Sequence, residues 1–133
     1  MKDYTNALRE HNLKVTPQRL AISQTLDTFG HISIDELYDV MIEKFNSISL
    51  ATIYKNMNLM ISNSFVEEVK LPNNKSVYEL AKTSHAHLLC DKCKKVEDLH
   101  INLEQIAKES LQKTSFKVLD TSLVFRGVCE NCL

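Results

Sequence analysis

Two cysteine pairs, Cys90-Asp91-Lys92-Cys93 and Cys129-Glu130-Asn131-Cys132, have the spacer that lets each pair set two thiolates on one tetrahedral zinc ion. Four thiolates leave no open coordination position, so this chemistry is a structural clamp. Two disulfides are the rival use of four thiols. Residues 1–6 carry neither the basic start nor the apolar core of a secretory leader, and no stretch has the length and apolarity of a membrane span. The chain therefore reads as cytoplasmic, where thiols stay reduced and metal is their expected partner. Ahead of the first pair runs His85-Ala86-His87-Leu88-Leu89-Cys90, whose alternating histidines face one side of an extended chain, away from the thiolates and open to a second metal. His31, Glu79 and Asp98 join them in a set of imidazoles and carboxylates that suits iron, manganese or zinc. These residues come from both halves of the chain, so their ion would bridge two domains. Taken singly, each is as well explained as a solvated or hydrogen-bonded side chain. The His85-x-His87 pair beside a thiolate knuckle is what lifts the group above that background. His31 lies just before a helix start at Ser33, where the positive end of the dipole disfavours imidazolium and keeps the ring able to bind metal. His11 and His100 have no such company, and His100 is left only the tuning of a nearby ligand.

The elements that carry these residues follow from capping and periodicity. Ala7, Leu8 and Leu13 give a short first helical face; Thr16 caps a second helix that Pro17 opens, with Ile22, Leu26 and Phe29 inward and Gly30 as its stop. Ser33-Ile34-Asp35-Glu36 is a capping box for a third helix that buries Leu37, Val40 and Met41 and runs to about Lys44. Ser49 caps a fourth, with Leu50, Ile53, Met57 and Ile61 inward and Ala51, Thr52, Lys55 and Asn56 outward. That pair is the layout of a helix-turn-helix reader, and residues 65–71 and 76–80 flank a Pro72-Asn73-Asn74-Lys75 turn as its hairpin wing. The fold class is α+β: a winged helix-turn-helix DNA-binding domain over residues 1–80, a hinge at 81–84, and a small α/β zinc-stapled domain for dimerisation and metal binding over 85–133. In the latter, strands at 87–90 and 96–99 pair across the first knuckle, Asn102 caps a helix with Leu103, Ile106, Ala107 and Leu111 inward, and a final strand spans 116–128. So small a lobe calls for a metal and a second copy of itself, which predicts a homodimer.

Of the 133 residues, 16 are basic and 17 acidic, so any DNA contact must rest on localised side chains. Two glycines and two prolines leave no room for a glycine-rich phosphate loop, which argues against nucleotide hydrolysis. Zinc deaminase chemistry is disfavoured as well, since His85-x-His87 stands where that pattern needs His-x-Glu before its cysteines.

Over nearly its whole length the chain resembles the ferric uptake regulator family. The resemblance is carried by Leu13-Lys14-Val15-Thr16-Pro17-Gln18-Arg19, by Ser49-Leu50-Ala51-Thr52-Ile53-Tyr54-Lys55-Asn56, by the stretch from His85 to Cys93, and by the closing Cys129 and Cys132. It implies a dimeric, metal-dependent transcriptional repressor and not an enzyme. The cysteine quartet would hold structural zinc (Zn2+), and iron (Fe2+) or manganese (Mn2+) on His31, Glu79, His85, His87 and Asp98 would set two reading lobes at the spacing of a palindromic duplex operator. Ser49, Thr52, Tyr54 and Lys55 are then the expected DNA contacts of the recognition helix, although Tyr54 fits a core position equally well. Lys14 would enter the adjacent minor groove and Arg19 would anchor a phosphate. Within the family the peroxide-sensing branch is nearest, and there peroxide acts as signal by oxidising ligand histidines, which here would be His31 and His85, so that the DNA is released. Asp98 fits that branch, whereas Glu79 stands where its members carry aspartate and is more like the iron-responsive repressors of iron uptake. Ser84 and Ala86 replace a histidine and an aspartate of a further metal site, which is expected to be missing. The rival readings are an iron-responsive repressor and a plain zinc-stapled interaction module.

Overall fold

Side-chain caps start the long helices at the expected places in the computed structural model, which describes residues 2–133. After a short α1 (Thr5–Glu10), the Thr16 hydroxyl accepts the Arg19 N–H at 3.2 Å to begin α2 (Pro17–Phe29). Ser33 and Glu36 close a reciprocal capping box at the head of α3 (Ile34–Lys44), and Ser49 accepts the Thr52 N–H at 3.1 Å at the head of α4 (Leu50–Ser62). Gly30 ends α2 at φ 77°, a left-handed conformation that disfavours a Cβ. Replacing Ser33 by alanine removes the bond its hydroxyl accepts from the Glu36 N–H and the one it donates to the Glu36 carboxylate, leaves the return bond from the Ser33 backbone N–H, and is expected to cost about 1 kcal/mol. Chemical denaturation of this variant beside Asp39→Ala, an exposed position on the same helix, checks that cost.

The chain divides into two compact units, the first ending at Ala81 and the second spanning Lys82–Leu133. In the first, Leu8, Ile22, Leu26, Leu37, Met41, Ile53, Met57 and Met60 form one apolar core to which the hairpin adds Phe65 and Val66. Strands β1 (Val66–Val69) and β2 (Val77–Leu80) pair antiparallel with Val66 opposite Leu80 and Val69 opposite Val77. Ile32 exchanges backbone hydrogen bonds of 3.1 and 2.8 Å with Tyr78, which ties the loop before α3 to the wing. Two apolar positions depart from the sequence reading: Phe29 is 53% exposed and Leu50 41% exposed. They are the last residue of α2 and the first of α4, while the buried row of α4 is Ile53, Met57 and Met60. Helical spacing names a face but not where along the helix the core stops.

In the second unit β3 (Ala86–Cys90) is central, with β4 (Val96–Leu99) antiparallel on one side and β5 (Val124–Gly127) parallel on the other. Asn102 accepts the Gln105 N–H at 3.0 Å to start α5 (Leu103–Ser110), and a short turn of 3-10 helix, Glu130–Cys132, closes the chain. The expected strand over 116–128 is realised only at Val124–Gly127. Phe116 is 73% and Leu119 89% exposed, and Ile106, expected inward on α5, is also exposed. Alternation predicts β geometry only where a neighbouring strand supplies hydrogen bonds; the Leu123 carbonyl still accepts the His87 N–H at 3.1 Å, but 116–122 belongs to no strand pairing. No helix among the described residues is long and apolar enough to cross a membrane.

Candidate functional site

Parallel pairing of β3 with β5 sets Cys90 opposite Gly127, so the closing cysteine pair arrives beside the first. The Asp91 N–H donates to the Gly127 carbonyl at 2.8 Å, and Arg126 grips both carboxylate oxygens of Asp91 at 3.2 Å each. Lys92 reaches the Cys132 carbonyl at 3.1 Å. The sulfurs of Cys90, Cys93, Cys129 and Cys132 consequently lie within 4.8 Å of one another, none of them in a disulfide. Cys93 and Cys129 are 3.8 Å apart sulfur to sulfur. A tetrahedron with metal–sulfur bonds of about 2.3 Å has an edge of about 3.8 Å, so the cluster has the dimensions of a zinc site. Backbone N–H groups of Cys129 and Cys93 point at the Cys90 sulfur from 3.4 and 3.5 Å and bring its pKa down to about 6, so it is a thiolate at neutral pH. Hydrogen bonds with the Cys129 and Cys93 sulfurs push Cys132 up to about 12, leaving a proton among crowded sulfurs where a divalent cation supplies the charge instead.

The imidazoles and carboxylates form one group in each unit. In the first, the Ile32–Tyr78 bridge brings His31 beside β2, where its Nε2 lies 2.8 Å from Oε2 of the fully buried Glu79. In the second, the β3–β4 register puts His87 opposite Asp98, with Nε2 3.5 Å from Asp98 Oδ1, and His85 Nε2 approaches the same oxygen to 3.3 Å. The two rings are 4.5 Å apart between centroids, as expected of alternate residues on one face of a strand. His85 Nδ1 lies 2.8 Å from the Thr83 carbonyl, which only accepts; Nδ1 therefore donates there and orients the ring so that Nε2 faces Asp98. The Lys82 ammonium bonds the other Asp98 oxygen. His100 stands with its ring 6.1 Å from that of His85, while His11 bonds the Ala7 carbonyl and packs edge-on against Phe65, a structural role.

On α4, the hydroxyls of Ser49 and Thr52 are 3.0 Å apart at the helix start, and Lys55 is exposed one turn further on. Tyr54 is 45% exposed, which removes the core alternative for it. Lys14 is also exposed. Arg19, expected as a phosphate anchor, has its guanidinium engaged within the domain, with Nε donating to Asn56 Oδ1 at 3.1 Å and Nη1 to the Lys14 carbonyl at 2.8 Å. Asn56, expected outward, is accordingly half-buried. The signal for this partnership was available, since asparagine is a poor interior helix residue and earns its place there through side-chain bonding.

A family model described as the ferric uptake regulator family matches residues 10–126. The peroxide-responsive repressor PerR of Staphylococcus epidermidis is 32% identical over 95% of this chain and 85% of its own length. Among solved structures, the ferric uptake regulator of Vibrio cholerae superposes with a TM-score of 0.77 at 34% identity, covering 96% of this chain and 100% of that one. The peroxide stress regulator of Campylobacter jejuni superposes with a TM-score of 0.75 at 33% identity, covering 98% and 100%.

Proposed function

We propose, since the chain belongs to the ferric uptake regulator family, that it is a cytoplasmic, homodimeric, metal-dependent repressor that reports peroxide by leaving its operator DNA. The observation that carries the reading is the pair of imidazole Nε2 atoms of His85 and His87 around one oxygen of Asp98. Two imidazoles and one carboxylate are a donor set known to hold ferrous iron, and His31 with Glu79 would add a second imidazole–carboxylate pair from the first unit. One regulatory iron or manganese ion on His31, Glu79, His85, His87 and Asp98 would couple the orientation of the DNA-reading domain, residues 1–80, through the hinge at 81–84 to the dimerisation domain, residues 85–133. Its influence on DNA binding equals its difference in affinity for the two arrangements. Cys90, Cys93, Cys129 and Cys132 hold zinc, which has no redox chemistry and only maintains the dimerisation domain.

In the reading domain, Ser49, Thr52, Tyr54 and Lys55 meet the major groove of a palindromic duplex, one half-site for each protomer, while Lys14 enters the neighbouring minor groove. Ferrous iron held by His31, Glu79, His85, His87 and Asp98 would supply the electron that reduces peroxide. His31 and His85 would be the rings that take the oxidation. An oxidised ring loses the lone pair it lent to the site, and the bias toward the DNA-bound arrangement goes with it.

Mass spectrometry of the iron-loaded protein after peroxide, paired with operator binding, tests the sensing step. An added oxygen on His31 or His85 together with lost DNA affinity is expected for iron, and neither change for manganese. A protein that takes no oxygen and keeps its operator affinity is an iron-responsive repressor instead, the reading that Glu79 favours.

A further inference from the structure

We infer that the Arg19 guanidinium and the Asn56 amide form a strut that holds Lys14 in register with the recognition helix, so that both grooves are read at one fixed spacing. This rests on the DNA-reading assignment above. Lys14 belongs to the irregular segment between α1 and α2, which has no helix or strand of its own to fix its position. Its carbonyl accepts from Arg19 Nη1 at 2.8 Å, while Nε of the same planar group donates to Asn56 Oδ1 at 3.1 Å. The Asn56 amide nitrogen in turn donates to the Thr52 carbonyl at 3.1 Å. Arginine only donates and a carbonyl only accepts, so the amide has one possible orientation, with its oxygen toward Arg19. The chain of contacts thus runs from the backbone of α4 beside Thr52, through Asn56 and Arg19, to the backbone of Lys14. A lysine at position 19 would keep the charge but lacks the rigid fork needed to bond both acceptors together. Arg19 is therefore a positioning residue, whatever contact its remaining N–H groups make with phosphate.

The test uses the full-length zinc-loaded dimer with manganese and a duplex that the wild-type protein selects from a random pool. Asn56→Ala is expected to weaken binding on the order of tenfold, counting both protomers. Arg19→Lys is expected to weaken it similarly despite its retained charge. Replacing adenine by diaminopurine in the flanking steps puts an amino group in the minor groove and should weaken the wild type. Asn56→Ala should be nearly indifferent to it, because Lys14 is no longer held there. A direct contact from Asn56 to a base would leave that minor-groove sensitivity intact. Wild-type affinity in Asn56→Ala or Arg19→Lys, or full diaminopurine sensitivity in Asn56→Ala, would overturn the strut. A wild-type protein that selects no duplex at all brings down the DNA-reading assignment, and the strut with it. Thermal melting and zinc content confirm that each variant is folded.

Discussion

Replacing His85 by alanine is expected to leave a folded, zinc-loaded dimer whose affinity for operator DNA no longer rises when manganese is added. His85 lies just before β3, ahead of the thiolate cluster, and none of the contacts that assemble that cluster passes through its ring. What the substitution removes is an Nε2 held 3.3 Å from Asp98 by the bond from Nδ1 to the Thr83 carbonyl. Loss of groups that merely orient a metal ligand typically costs about 10–100-fold in metal affinity, and loss of the ligand should exceed that. His100→Ala is the contrasting variant, since its ring is 6.1 Å from His85 and belongs to no ligand group. It should weaken manganese binding only slightly. Manganese titration of operator binding for the two variants measures the difference, and a His85→Ala protein with unaltered metal response would remove His85 from the site.

Cys93→Ser is the second large effect, and it falls on folding. The apolar residues buried in the second unit are Ala86, Leu89, Cys90 and Leu103, a small core for so much chain. A domain of that kind depends on its staple, and structural zinc contributes an apparent ~10–16 kcal/mol in small zinc domains, against a net stability of about 5–15 kcal/mol for a whole native domain. Cys93 and Cys129 form one edge of the sulfur tetrahedron, so a serine at 93 opens it. The expected outcome is loss of zinc and of the dimer with the helical first unit still folded, read by zinc content, sedimentation and circular dichroism. A zinc-free variant that remains a folded dimer would show that the thiolates are not the staple.

The contrast between these two substitutions follows a division already visible in the residue types. Thiolates at fixed two-residue spacing announce their own geometry, because the spacer alone brings two sulfurs to one ion, and only the arrival of Cys129 and Cys132 needed the β3–β5 pairing to be seen. The alternation of His85 and His87 was equally plain once β3 was recognised as a strand. Glu79 and His31 carried far weaker signals, since their approach depends on the Ile32–Tyr78 bridge between a loop and the wing, a contact with no local pattern in the sequence. Caps at Thr16, Ser33, Ser49 and Asn102 were legible because each satisfies donors a few residues away. Phe29, Leu50 and the stretch 116–123 were misjudged for the opposite reason. Whether an apolar residue is covered depends on what lies opposite it in space, and periodicity is silent on that. The bond from Arg19 to Asn56 was not legible either, because that acceptor lies 37 positions further along the chain.

The most direct measurement is anomalous diffraction at the manganese edge from the zinc- and manganese-loaded protein, which locates the regulatory ion and its donors independently of DNA. One manganese per chain, bound by His31 and Glu79 together with His85, His87 and Asp98, is the expected result. Manganese held by residues of one unit alone, or found away from these side chains, would contradict the claim that a single ion links the reading domain to the dimerisation domain.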